Sequence, residues 1–328
     1  MKKSLRTVLS LSLFLLAGSI GAQEPAKLRV KVFPGAQNLP LFAGIAKGFF
    51  AKRGITVDLL STANSTELRD GLANGDIEVA HAAVDNAVAM VELAGKDVVI
   101  VMGGDSSMNE FFVQEYVTSV ADLRGRTVIV DAPNTAHALQ VRKILLNAGL
   151  KPSDYTFKPV GGGLFRAKAM REDRANAASI LNAPFSFSAP KDGLKSLGRT
   201  IDLLGPYQAT GAFVMRPWAR ANANALERYI AGFVEATRWS RDPANRAECV
   251  QLLAERLKIE RGIAELTYDA LIDAKFGLSP DARFDLPGFR NVLALRAEIE
   301  GQWGGKPPAP DKFIDLGYYE RAMALVGK

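Results

Sequence analysis

The chain has 328 residues, 48% of them hydrophobic and 23% charged, enough to bury a large core and to divide into two lobes. Its formal charge of +6 includes Lys2, Lys3 and Arg6, and without these three the 41 basic residues fall to 38 against 35 acidic ones. That balance is too mild for a nucleic-acid partner, no basic cluster interleaves with aromatics, and a single cysteine excludes an internal disulfide.

In chain order, Lys2, Lys3 and Arg6 form a positive n-region, and Val8 to Ala17 an apolar h-region too short to span a bilayer comfortably. Ser19 to Ala22 supply small residues, so residues 1–22 read as a secretory signal peptide cleaved before Gln23, with no Cys nearby to take a lipid. The expectation is export to the periplasm, and no second apolar run is long enough to cross a membrane.

"LRVKVFP" alternates like a strand, "LFAGIAKGFFAKRG" reads as a helix stopped at Gly54, and "ITVDLLS" as a strand again. "TELRDGLANG" is a short helix capped by Ser65 or Thr66, and "DIEVAHAAV" another strand. Asp85 or Asn86 caps "NAVAMVELAG" before the apolar strand "DVVIVMGG".

After "EFFVQEY" the plan restarts. Val128, Ile129 and Val130 build a strand, while Ala138, Val141, Ile144 and Leu145 recur at helical spacing. Between them "DAPNTAH" is a strand-to-helix junction: Pro133 disfavours helix at Ala132, and Asn134 or Thr135 is a good N-cap. The strand "YTFKPVGGG", the helix "LFRAKAMRED" and the strand "NAASIL" follow, and "GAFVMRP" then returns to a chain end that is mostly helical. "LERYIAGFVEATRWS" sets Leu226, Tyr229, Ile230, Phe233 and Thr237 on one face, and Cys249 in "RAECVQLLAERL" reads as a buried small hydrophobe. The expected division is residues 23–115 and 207–328 as lobe 1 and residues 116–206 as lobe 2, hinged by crossing strands.

Four stretches carry a resemblance: "AGIAKGFFAKRGITVDLL", "LANGDIEVAHAAVDNAV", "VADLRGRTVIVDAPNTAHALQVRKILLNAGL" and "PPAPDKFIDLGYYERAMA". In this order and spacing they resemble the periplasmic solute-binding proteins that serve nitrate, sulfonate, taurine and thiamine-pyrimidine ABC importers. The resemblance implies an α/β, two-lobed periplasmic-binding-protein (type II) clamshell, each lobe a sheet flanked by helices. It also implies a small-molecule ligand closed between the lobes, delivery to a membrane permease with its ATPase, a monomer, and no chemistry on the ligand. One departure is Asn176 in "RANAASIL", where many relatives carry an acidic residue.

Ligands of open α/β sheets bind outside the carboxyl ends of the strands, so the candidate site residues are those of the strand-to-helix junctions. In the first lobe these are Gln37, Asn38, Asn64, Ser65, Thr66, His81, Asp85 and Asn86; in the second Asn134, Thr135, His137, Gly162, Asn182 and Phe185. Neutral hydrogen-bonding groups at helix starts can hold a small oxyanion or organic acid without Lys or Arg. If Asp85 faces the cleft unpaired, it favours instead an amino or hydroxyl group, as on a pyrimidine or a taurine-like zwitterion. The same residues have plainer readings: Ser65, Thr66, Thr135 and Asp85 as helix caps, His81 and His137 as wall or core histidines, Phe185 and Phe187 as core. No His, Cys or acidic spacing suggests a metal, and no cofactor is expected; the glycine triplet 161–163 lacks the lysine of a phosphate loop. Two alternatives stay open: an exported sensory ligand-binder, and an enzyme of the same fold acting on a pyrimidine or menaquinone precursor.

Overall fold

The computed structural model describes residues 24–327, so the expected leader and its cleavage point lie outside the described residues. Alternation in "AKLRVKV" makes β1 (Ala26–Val32), which sends Leu28, Val30 and Val32 into the core. There follow α1 (Leu39–Ala46), β2 (Ile55–Ser61), α2 (Ser65–Asn74), β3 (Val79–Ala83), α3 (Asp85–Ala94) and β4 (Val98–Asp105). The chain then crosses over and adds β5 (Asn109–Val113), β6 (Thr127–Val130), α4 (Ala136–Asn147), β7 (Thr156–Pro159), α5 (Gly163–Glu172), β8 (Asn176–Asn182), α6 (Phe185–Ser188), β9 (Lys195–Arg199) and α7 (Thr200–Leu204). It returns as β10 (Thr210–Met215) and ends in α8 (Arg216–Ala221), α9 (Ala223–Arg241), α10 (Arg246–Leu257), α11 (Arg261–Leu271), α12 (Leu286–Glu300) and α13 (Gly317–Leu325).

These strands form two five-stranded sheets, ordered β2-β1-β3-β10-β4 and β7-β6-β8-β5-β9. Each is mixed. In the first, β1 runs parallel to β2 and β3, while β10 is antiparallel to β3 and β4; in the second, β6 is parallel to β7 and β8, while β5 is antiparallel to β8 and β9. Apolar layers cover both faces of the first sheet, one with Tyr229 and Phe233 of α9, the other with Val88 of α3 and Phe289 of α12. The second sheet buries Val141 and Leu145 of α4 on one face and Met170 of α5 on the other. At about 1.5–3 kcal/mol for each large apolar side chain removed from water, these layers hold the lobes together.

The reading from sequence departs from this fold at identifiable places. The strand β5 pairs with β8 from Asn109↔Asn182 to Val113↔Ala178, so the first crossing lies between Asp105 and Asn109 and not at Tyr116. An apolar run shows that a strand exists but not which sheet receives it. The first helix stops at Ala46, because Gly48 takes a left-handed φ of 74°, and a short turn carries the chain on to Gly54. Asn64, and not Ser65 or Thr66, caps α2, accepting from the Glu67 amide at 2.9 Å. Asn176, the departure from the family pattern, is buried and donates to Ala169 O at 2.9 Å, tying the end of α5 to β8.

Candidate functional site

Carboxyl ends of strands from both sheets meet around a partly open cavity of about 70 Å3. One water, measured the same way, needs only about 10–15 Å3, so a small solute fits. Backbone and side-chain bonds close the lobes over it: Gly162 N donates to Ala63 O at 2.9 Å, Ala36 N to Ala183 O at 3.1 Å, and Asn182 Nδ2 to Gln37 Oε1 at 3.4 Å. The position before the first of these contacts favours glycine. Gly161 has φ 103°, and a Cβ there would lie 3.1 Å from Ala63 O.

The "DAPNTAH" junction supplies the polar centre. Asn134 adopts a left-handed φ of 56°, a conformation its short polar side chain tolerates, and the turn delivers Thr135 to cap α4. Asp131 accepts from Ser65 Oγ of the other lobe at 2.8 Å and from Thr135 Oγ1 at 2.5 Å, with His137 Nδ1 at 3.8 Å. Burial alone would raise this carboxyl, but the His137 imidazole, the Arg166 charge and the Thr135 hydroxyl outweigh it and hold Asp131 well below the ordinary carboxylate range. Asp131 is therefore an ionised clasp between the lobes. His137 is pushed down, first by burial and then by the Arg166 charge.

Arg166 comes one turn into α5 and is wholly buried in the cavity wall. Its guanidinium donates to Gly161 O at 2.8 Å and to Ile180 O at 3.1 Å, so carbonyls hold it, with Asp131 as the counter-charge. On the first-lobe side Asp105 ends β4, buried, accepting from Ser107 N at 2.9 Å and from the Thr210 hydroxyl.

Of the residues expected from sequence, Gln37, Ser65, Asn86, Thr135, His137, Gly162 and Asn182 line the cavity. The others stand elsewhere. Asn38 is buried and donates to Phe33 O at 2.7 Å; Asn64 and Thr66 sit at the outer mouth of the cleft. His81 lies inside the first lobe, edge-on to Phe233 at 4.7 Å between ring centroids. Phe185 packs against Gly163. Asp85 does not face the cleft unpaired. It is locked to Arg296 of α12, Nε–Oδ1 2.5 Å and Nη2–Oδ2 2.8 Å, and the same guanidinium donates to Asn134 O at 2.8 Å. The Asn134 side-chain amide donates to the Glu300 carboxylate.

The expectation of a wall without Arg or Lys, and with Asp85 as the one carboxylate, is thus corrected: Arg166, Asp105 and Asp131 all line the cavity. The available signals were an acid directly after each apolar strand, in "MGGDSS" and "VIVDAP", and a basic residue in the first turn after the glycine triplet.

A sequence profile described as the NMT1-like family matches residues 21–254. The chain belongs to the NMT1-like family. Among solved structures, a protein from Bordetella bronchiseptica RB50 superposes with TM-score 0.80 at 22% identity, covering 92% of this chain and 98% of that one. The periplasmic nitrate-binding protein NrtA from Synechocystis PCC 6803 gives 0.77 at 16% identity, with 92% and 89% covered. The alkanesulfonate-binding protein SsuA from Xanthomonas axonopodis pv. citri, bound to MOPS, gives 0.71 at 17% identity, with 88% and 96% covered. The same architecture also carries the desulfurization enzyme DszB, at TM-score 0.61 and 15% identity, with 92% and 99% covered. No curated protein matches the sequence. These likenesses establish the two-lobed periplasmic-binding-protein fold for this member of the family.

Proposed function

We propose that this protein is an extracytoplasmic solute-binding protein that captures a small organic solute between its lobes and delivers it to an ABC permease with its ATPase. The observation that carries the reading is the cavity between the lobes, one wall from each, bridged by hydrogen bonds between strand ends of the two sheets. Family membership supports it, as do the names of the nitrate- and alkanesulfonate-binding neighbours. Against the enzyme reading, Ser65 donates to a carboxylate and not to a histidine base, and burial pushes the Cys249 thiol up to about 12.

Solution scattering and thermal melting test the proposal with nitrate, taurine, alkanesulfonates, aromatic acids and aminopyrimidines. A bound member shrinks the particle and raises the melting temperature, by about 2.7 kcal/mol of stability at a hundredfold excess over Kd. Scattering and melting curves that no member alters would sink the reading. For the exported form, intact-mass analysis of periplasmic protein is expected to show loss of about 22 residues. Recovery of an unprocessed cytoplasmic chain would reopen the enzyme alternative.

A further inference from the structure

On the second-lobe side of the cavity the Arg166 guanidinium and the first amides of α4 and α5, which have no partner within their helices, offer donors beside the ionised Asp131. On the first-lobe side two buried acceptors stand out. Asp105 is 3% exposed, and among the described residues no Lys or Arg pairs with it. Asn86, 2% exposed, donates its nitrogen to Ala83 O at 3.3 Å, which leaves Oδ1 as a buried acceptor without a partner. Strand register brings the two together. Thr210 of β10 pairs with Ala83 on one side and with Asp105 on the other, so both acceptors sit beside the same strand end. The Tyr207 hydroxyl, also unpartnered in the lining, can take either role.

Resting on the solute-binding reading above, we propose that Asp105 and Asn86 form the specificity subsite of this cavity and receive an N–H donor of the ligand, an ammonium, amidinium or ring amine. The cargo is then a small nitrogenous or zwitterionic compound and not a simple oxyanion. Among the described residues no Lys or Arg pairs with Asp105, so an oxyanion entering the cavity finds no cation at this subsite, whereas an N–H donor finds two buried acceptors. Burial raises the Asp105 carboxyl, and an N–H cation beside it restores the ionised form through a charge-assisted bond. The donors of the second lobe remain for an acidic or carbonyl group at the ligand's other end.

Calorimetry on protein stripped of co-purified solute tests this with matched pairs: taurine against ethanesulfonate, benzamidine against benzoate, 4-aminopyrimidine against pyrimidine, with nitrate alone. In at least one pair the nitrogen-bearing member is expected to bind at least tenfold more tightly. Asp105→Asn should abolish that preference, and Asp105→Ser should do the same. The wild-type preference decides even where a variant does not fold. If an oxyanion probe closes the lobes and in no pair does the nitrogen-bearing member bind more tightly than its partner, the subsite assignment fails while the solute-binding reading stands. If no probe binds, both fail.

Discussion

Arg296→Ala is expected to destabilise the fold by about 3–5 kcal/mol, the cost of leaving a buried charge without its partner. Arg296 has 0% side-chain exposure and Asp85 1%, and the pair is bidentate, so neither charge can turn to water when the other is removed. The substitution also frees Asn134 O, which Arg296 holds at 2.8 Å on the second lobe. The damage therefore reaches both lobes: α12 loses its anchor on α3 and its grip on the turn that opens α4. Nearby ion pairs are weaker. Lys143–Glu298, at 2.5 Å but with Glu298 47% exposed, contributes about 0.2–1 kcal/mol, as exposed pairs do. Chemical denaturation of Arg296→Ala, Asp85→Asn and the combined Asp85→Leu/Arg296→Met chain separates pairing from packing. The combined variant should lie closer to wild type than Arg296→Ala does. A loss below about 1 kcal/mol for Arg296→Ala would refute the pair's structural role.

That pair also marks the limit of what the sequence discloses about the site. Asp85 stands at a helix start on the cleft side, where helix-dipole arguments place either a cap or a ligand partner, and both readings use only neighbours in the chain. Its partner is 211 positions away, so no local pattern points to it. The same holds for the cavity wall. Junctions whose geometry depends on short-range rules were legible: Thr135 caps α4 and the glycine triplet permits close approach to Ala63. Arg166 was not, because a basic residue on a short polar helix looks solvent-facing until the second sheet is folded behind it. Asp105 ends a wholly buried strand, and only pairing with β10 brings Thr210 to its carboxyl. Strand alternation and helix stops give the order of layers, while β5 shows that sheet membership is settled by long-range pairing.

Acid sensitivity between pH 6.5 and 4 is the second large effect expected, and it centres on His81. The side chain is 4% exposed on β3 against Phe233, its Nδ1 has no partner, and burial lowers its pKa from 6.5 to about 4. Above pH 6.5 the imidazole is neutral whether the chain is folded or not, and it contributes no pH dependence. As pH falls below 6.5 the unfolded chain takes up a proton that the folded one refuses, so stability falls; the slope ends near pH 4, where the folded form also protonates. The loss is about 2 kcal/mol at pH 5 and roughly 3 kcal/mol at pH 4, because each pH unit over which only the unfolded chain is protonated costs about 1.36 kcal/mol. The chain's other histidine, His137, is also lowered and acts in the same direction, with 22% of its side chain exposed to soften the effect. Asp105 acts in the opposite direction, because a raised carboxyl binds its proton sooner in the folded state and gains stability as pH falls. Comparing wild type with His81→Leu removes both of these from the difference. Denaturation midpoints at about pH 7 and pH 5 should diverge strongly in the wild type and much less in the variant, whose apolar side chain keeps the contact with Phe233. Equal pH dependence in the two proteins would show that His81 is protonated at little cost where it stands, and that some other group drives acid unfolding.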